Sequence, residues 1–453
     1  MMTVRSILLV LIGAGALAMP PAASAQQKED PTSLSMALTG DSIITRRLSV
    51  YEEPEFLAMV DLIRSADVAF TNLEMLFHDY EPFPMHESGG TFMRGDPSLA
   101  GELVWAGFDM VSRANNHTGD YGVMGQRLTR KYAEAAGLVH AGTGEGLRQA
   151  REPRFLETAG GRVALVSVAS TFPDHSRAGS TFGDNPSRPG LAPQRYSSTR
   201  IITSDQMEGL REALIRMDTR VPTEESRLRA FGRRFEVGTE TGTRTEPHRG
   251  DLEANAASVR SGSLLADCTI VSIHAHESGE GRSVPADFIE TFARAMIDAG
   301  ADVVVGHGPH VLRGIEIYEG KPIFYSLGDF IFQNETLLRL PEENYGSYGL
   351  ERDEATVAEF NLRRYRNDER GFPANREIWE SVVAWVEWEG DRLAAVRLHP
   401  ITLGFGLPRS QRGRPMFATG ELARKILADL AERSERYGTS IRVRGDMGEV
   451  VLP

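Results

Sequence analysis

The sequence predicts a layered α/β fold whose strands deliver polar side chains to one edge. Three observations predict it. Short apolar runs alternate with helical periodicity from residue 34 to about 333, five of those runs end in residues that bind metal well, and beyond them the pattern changes to hairpins. The five runs are 34–38 before Asp41, 68–70 before Asn72 and Glu74, 108–111 before Asn116 and His117, 269–273 before His274, and 303–305 before His307 and His310. In parallel sheets the loops that follow the strands gather along one edge, so residues scattered through the chain can meet there. The pattern predicts one shared metal centre.

The elements follow in order. Residues 1–25 read as a secretory signal, with Arg5, an apolar stretch over 7–19, Pro20-Pro21, and Ala23-Ser24-Ala25 before an expected cleavage point. An uncleaved anchor is the alternative. The stretch is too short for a comfortable membrane span and no later run is long enough, so an exported, periplasmic or extracellular chain with no transmembrane span in its mature part is expected.

Residues 53–65 carry Phe56, Val60 and Ile63 at helical spacing and lead into the strand at 68–70. A short helix at 97–106 precedes the run at 108–111. Another at 122–136 is stopped by Gly137 before 138–139. Residues 163–168 and 269–273 read as strands, and Phe288, Phe292, Ala295, Met296 and Ala299 line one face of the helix before 303–305. Such β–α alternation implies a largely parallel sheet.

Between 171 and 266 the alternation is interrupted. Residues 171–200, rich in Ser, Gly, Pro and Arg, read as a lid, 204–217 as a helix, and the charged stretch 236–262 as mobile. Past His310, residues 311–318 and 322–327 read as a hairpin with Gly320 in its turn. Residues 355–360, 381–388 and 392–398 read as further antiparallel strands, and Ala423, Ile426, Leu427 and Leu430 mark a final amphipathic helix. A core domain over 34–333 and a C-terminal extension over 334–453, packed on a second sheet, are therefore expected.

Composition narrows the function. With 63 acidic against 50 basic residues the net charge is −13, which excludes a general nucleic-acid or anionic-membrane surface because neither attracts an acidic protein at long range. The single cysteine, Cys268, excludes an intramolecular disulfide and sits in an apolar run.

The candidate site begins at Asp41, which could ligate a divalent ion or cap the next turn. Asn72 and Glu74, two apart in extended backbone, point the same way and offer an amide oxygen beside a carboxylate. Asn116 supplies a neutral oxygen next to His117, an imidazole that can serve as a general acid, and Asp120 could orient that ring or cap the following helix. His274 and His276 are again two apart. In Gly306-His307-Gly308-Pro309-His310 the glycines let the backbone approach closely, and paired imidazoles in one tight turn suit a transition metal. Five of the eleven histidines fall in these motifs, more clustering than core packing needs.

The ordered series Gly40-Asp41, Asn72-Leu73-Glu74, Asn115-Asn116-His117 with Asp120, His274 with Glu277, Gly306-His307-Gly308-Pro309-His310, and Tyr325 to Phe330 resembles the CapA family of capsule and poly-γ-glutamate synthesis. The resemblance implies an α/β/β/α sandwich of the calcineurin-like metallophosphoesterase type. It also implies a centre of two divalent ions (Mn, Fe or Zn) held by Asp41, Glu74, Asn116, His274, His307 and His310. His117 with Asp120 would be the catalytic acid. Ile43 stands where an Asp-x-His pair would place a histidine, which implies that one ion site is weaker or empty. Where the family often has His-Trp-Gly and Asn, this chain has His274-Ala275-His276 and Asp329.

The function implied is metal-dependent hydrolysis of a phosphoester or an amide bond in an envelope polymer. A non-catalytic polymer-binding or export factor is the alternative. Arg188 and Arg195 in the expected lid could hold carboxylates or phosphates in bidentate fashion, or could be ordinary solvated surface residues. The partners implied are an anionic cell-envelope polymer or its precursor and capsule-synthesis membrane proteins, with no nucleic acid.

Overall fold

A computed structural model describes residues 33–221, 224–351 and 355–453. The signal reading at 1–25 lies outside them. Strand periodicity explains how the layers assemble. Along Ser33–Ile43, Met36 and Leu38 face one core while Ala37 between them faces another, and Val303 and Val305 are split from Val304 in the same way.

The first face of each strand meets the other sheet. Met36, Leu38, Val68 and Phe70 pack with Val163, Leu165, Ile270, Val303 and Phe324 in a core between two sheets. The opposite faces carry helices. Pro54–Arg64 and Leu99–Ala106 cover the first sheet through Phe56, Val60 and Leu103, and Arg249–Ser263 and Asp287–Asp298 cover the second through Val259, Phe288, Phe292 and Met296. The layers therefore run helix, sheet, sheet, helix.

The first sheet has ten strands and the second six. In the first, Ser33–Ile43 pairs in parallel with Val68–Leu73 and with Asp329–Phe332, and Val68–Leu73 continues to Met110–Ser112 and Val139–Ala141. In the second, Cys268–His274 lies in parallel between Gly161–Ala169 and Val303–His307. The expected hairpin is present as Ile315–Tyr318 and Lys321–Phe324, with Glu319 and Gly320 both at positive φ in its two-residue turn.

Two expectations are corrected. The C-terminal strands do not stand apart from the first sheet but extend it, and they pack on the second across the shared core. Glu380–Glu389 pairs antiparallel with Ser33–Ile43 itself, Leu38 facing Ala384, and Arg392–Thr402 follows it in the first sheet. The parallel strands leave one edge of Ser33–Ile43 unpaired at its start, and the returning chain covers it.

Residues 355–360 are not a strand. Thr356 caps a helix, Val357–Tyr365, by accepting from the Glu359 amide while Glu359 reaches back to Thr356. Most of the stretch expected to be mobile is regular. Gly242–Pro247 closes a four-stranded sheet with Arg227–Ala230, Arg233–Val237 and Tyr196–Ile202, and Arg249–Ser263 is a helix packed on the second sheet. Charge does not prevent this, because Asp251 turns inward to Arg151 and Arg195 and Gly262 lets the helix approach Ala164 and Pro153. Among the described residues no helix is long and apolar enough to cross a membrane.

Candidate metal centre

Both sheets aim their central strands at one place. Asp41 is in register with Asn72 on one side and Asp329 on the other, and in the facing sheet His274 is in register with His307. Parallel pairing thus brings residues nearly 300 positions apart to a common edge, as the strand endings predict. Gly40 makes the junction possible. A Cβ there would lie 2.0 Å from the Gly328 carbonyl oxygen, which accepts from the Asp41 amide at 2.9 Å.

The side chains converge. Asp41 Oδ1 accepts from the Asn72 amide at 2.6 Å and lies 3.7 Å from Nδ1 of both His274 and His307, while its Oδ2 accepts from the Gly308 backbone at 2.9 Å. Gly308 has φ +108°, where a side chain is strained, and a Cβ would sit 3.1 Å from the Ala275 backbone. His310, at φ 57°, holds a left-handed conformation that non-glycine residues rarely adopt, and its Nδ1 lies 2.9 Å from Asp329 Oδ1. Glu74 stands between the groups, 3.7 Å from His274, 3.8 Å from His117 and 4.0 Å from His310.

Four carboxylates, those of Asp41, Glu74, Asp120 and Asp329, are fully buried here. Burial, then the charges of Asp41, Asp329 and Asp120, push the Glu74 carboxyl well above its usual range. Burial raises Asp329 to about 6 despite His310. Burial alone would raise Asp41 too, but His274 foremost, with His307 and His310, holds it below the ordinary range. On the imidazole side burial drives His307 down to about 4 and His276 well below its usual value. At His310 burial is outweighed by Asp329, which raises it, while the neutral imidazoles of His307 and His276 facing crowded carboxylates suit a divalent cation.

The hydrogen-bond ledger points the same way. Both oxygens of Glu74, both ring nitrogens of His307, the amide oxygens of Asn72 and Asn116, and Oδ2 of Asp329 are buried without a hydrogen-bond partner among the described residues. An uncompensated buried polar atom costs about 1–3 kcal/mol, so such a concentration at one point requires something to satisfy it. Ligand atoms of Asp41, Glu74, His310 and Asp329 lie within 4.8 Å of one another, as do those of Glu74, His276 and His310. The two groups share Glu74 and His310, so the residues fit a divalent cation. Oxygen and imidazole donors together suit Mn, Fe or Zn better than Ca.

His117 is held apart from this donor set. Its Nδ1 lies 2.7 Å from Asp120 Oδ2, and Asp120 is fixed by the backbone amides of Gly89 at 3.0 Å and Met93 at 2.8 Å. Asp120 therefore orients the ring and does not cap the following helix, which begins at Gly122. Above the cluster opens a cavity of about 450 Å³ that His117, His276, His310 and Asn116 reach.

The structure thus gathers Asp41, Glu74, Asn116, His117, Asp120, His274, His307 and His310. Arg188 and Arg195 are elsewhere engaged. Arg195 forks onto Asp251 at 2.7 and 2.9 Å, and Arg188 donates to the Arg177 carbonyl at 2.9 Å. Neither lines the cavity, where Arg282 and Arg364 are found instead. Glu277 is taken up by the Ser170 and Thr171 hydroxyls at 2.7 and 3.0 Å. Asp329 and His276 join the cluster without having been assigned a part. Their signals were a carboxylate after Leu327-Gly328 and a histidine two positions beyond His274.

Fold and site together define an α/β protein with a buried carboxylate–imidazole centre, built at the carboxyl ends of strands from two sheets. The chain belongs to the family described as bacterial capsule synthesis protein PGA_cap, whose model matches residues 11–334. It is 38% identical over 434 residues to the uncharacterized protein y4sH of Sinorhizobium fredii, a match covering 92% of this chain and 93% of the relative. It is also 26% identical over 230 residues to the capsule biosynthesis protein CapA of Bacillus anthracis, covering 50% of this chain and 41% of that one. With the PGA biosynthesis protein CapA of Bacillus subtilis it shares 54% identity over 63 residues, 14% of this chain and 17% of the other. The resemblance to CapA proteins read from the motifs is thus borne out.

Proposed function

We propose that this protein is an exported, metal-dependent hydrolase of capsule-type polymer synthesis, with a calcineurin-like sandwich, acting on a phosphoester or amide bond of an anionic polymer such as poly-γ-glutamate. The observation that carries this reading is the convergence of buried, unpartnered ligand atoms beneath an open cavity. Asp41, Glu74, Asn72, Asn116, His274, His276, His307, His310 and Asp329 would hold two divalent ions. Such ions supply Lewis acidity, making water acidic enough to ionise near neutral pH and withdrawing electron density from a phosphoryl or carbonyl centre.

The protein's own residues supply orientation and a proton. With Nδ1 anchored on Asp120, the ring of His117 turns Nε2 toward Glu74 and the cavity. A protonated His117 can donate from Nε2 to a departing oxygen or nitrogen, and Asp120 stabilises the imidazolium until it does. Phe332 and Phe372 wall the cavity on its apolar side, which limits water around the reacting bond.

The test couples metal analysis of the purified protein to a turnover screen on phosphodiesters and γ-glutamyl peptides. Two ions per chain and measurable turnover are expected. His117→Ala should keep the metal and lose turnover by about 10²–10⁴-fold. A variant that retains full function in capsule formation would instead make the protein a non-catalytic polymer-binding or export factor.

A further inference from the structure

Among the described residues, the walls of the cavity above the cluster carry two arginines, Arg282 and Arg364, and no lysine or carboxylate. Neither guanidinium has a carboxylate within ion-pair distance among the described residues, unlike Arg127, Arg151, Arg195, Arg244, Arg409 and Arg412. Arg364 is nonetheless held in place, and the backbone that bears Arg282 is fixed.

Arg364 stands in the last turn of the helix Val357–Tyr365. It is half-buried, its guanidinium carbon 5.1–5.7 Å from the ring centroids of Phe360, Tyr365 and Phe372, and it donates to the Thr91 hydroxyl across the cavity mouth. Ring stacking fixes the plane of the guanidinium and leaves its other N–H groups for a ligand. Phe372 also packs against His310, centroid to centroid 5.4 Å, so one ring links Arg364 to the cluster.

Arg282 lines the same cavity. The loop that bears it is clamped from beneath by buried Arg313, which donates to the carbonyls of Arg282 at 3.0 Å and Glu277 at 2.8 Å. The Arg282 side chain is exposed above that clamp. Two guanidinium groups without a carboxylate partner, both lining one polar cavity, favour an anion there.

We propose that Arg282 and Arg364 form an oxyanion-binding subsite at the cavity mouth, which selects substrates carrying a negative charge beside the bond placed over the carboxylate–histidine cluster. The subsite rests on the hydrolase reading for its role, but its own chemistry is independent of it. Arg364 and Phe372 lie beyond residue 334, where the match to the family model ends. The C-terminal segment therefore builds one wall of the substrate site and sets its preference for anions.

Calorimetric titration of the purified protein with inorganic phosphate and with γ-glutamyl-glutamate, before and after chelation, tests this. Arg282→Gln and Arg364→Gln should each weaken binding of at least one probe by about tenfold, and the double variant by about 100-fold, with metal content and thermal unfolding unchanged. Arg364→Lys should recover only part of the loss, because an ammonium cannot stack and fork at once. The probe whose affinity depends more strongly on the arginines identifies the anion as phosphate or carboxylate. Affinity of a normally folded double variant within twofold of wild type for both probes, or no binding of either probe to wild type, overturns the subsite. Arginine-dependent binding by a protein that holds no divalent ion would leave the subsite standing and sink the hydrolase reading instead.

Discussion

Glu74 shows most sharply what the centre demands of a single residue. Buried beside three other carboxylates, with both oxygens unpartnered, it is a liability to the metal-free chain that a bound cation would relieve. Glu74→Gln should therefore cut metal affinity by at least tenfold while leaving the chelated protein as stable or about 1 kcal/mol more stable. Metal content after dialysis and paired melts with and without chelator check both halves; a chelated variant that is much less stable would show that Glu74 is structural.

His78 makes a prediction away from the centre. Burial, then Arg94, lowers its pKa from 6.5 to about 4, and its Nδ1 accepts from the Tyr80 amide at 3.0 Å. Because the folded value is depressed, the unfolded chain takes up the proton first as pH falls. The stability contributed is whole above pH 6.5 and is lost toward pH 4, at most roughly 3 kcal/mol. His78→Gln, which keeps an acceptor, should flatten that part of the stability–pH curve in chelated protein, and an unchanged slope would refute the assignment. At this scale the strand-end donors were legible because their addresses follow from local pattern. Arg282 and Arg364 were not, since no local pattern says which arginine a distant aromatic will hold or which, like Arg195, an aspartate will consume.

Among elements, the helix Val357–Tyr365 carries the lesson of a misread period. Residues 355–360 read as a strand, yet Thr356-x-x-Glu359 is a capping box, and that signal outranks a few apolar positions in so short a run. The same helix positions Arg364. Thr356→Ala removes one half of the box and should cost about 1 kcal/mol locally. Fraying there loosens the Arg364 stack, so phosphate or γ-glutamyl-glutamate affinity should fall about two- to fivefold with metal content intact, in the same titration that tests the subsite. Equal anion affinity in the variant would separate the cap from the site. Parallel strands and their helices were legible throughout the first 140 described positions, where periodicity and Gly caps agree, as at Gly137. Recognition failed where the partner is remote. Arg249–Ser263 looked too charged to order, and only the fold shows Asp251 meeting Arg151 and Arg195.

For the molecule as a whole, the two irregular additions to the sandwich are not equivalent. The strand Glu380–Glu389 is hydrogen-bonded to the central strand Ser33–Ile43, and Val382, Ala384, Val386 and Trp388 fill the core between the sheets. Removing it would open an edge beside the centre of the fold and expose those side chains. The sheet of the insertion is different. Met207, Leu214, Leu228 and Ala230 form a small core of its own. The chain enters it at Arg195 and leaves it at His248, whose amide donates to the Arg195 carbonyl at 2.7 Å, so its ends already touch. Excising 196–247 and joining the ends through two or three glycines adds little loop-closure cost. What is lost is the Tyr196–Phe288 stack at 4.4 Å, the bond from the Thr245 amide to Asp287 and the bond from the Phe288 amide to the Thr245 hydroxyl, together about 1–3 kcal/mol. The shortened protein should unfold in one cooperative transition at a lower temperature and bind the same number of divalent ions, whereas a chain ended after residue 334 should be insoluble. If thermal scans and metal analysis showed the reverse, with the excision unfolded and the truncated chain cooperative and metal-bound, the C-terminal strands would be dispensable and the insertion would belong to the core.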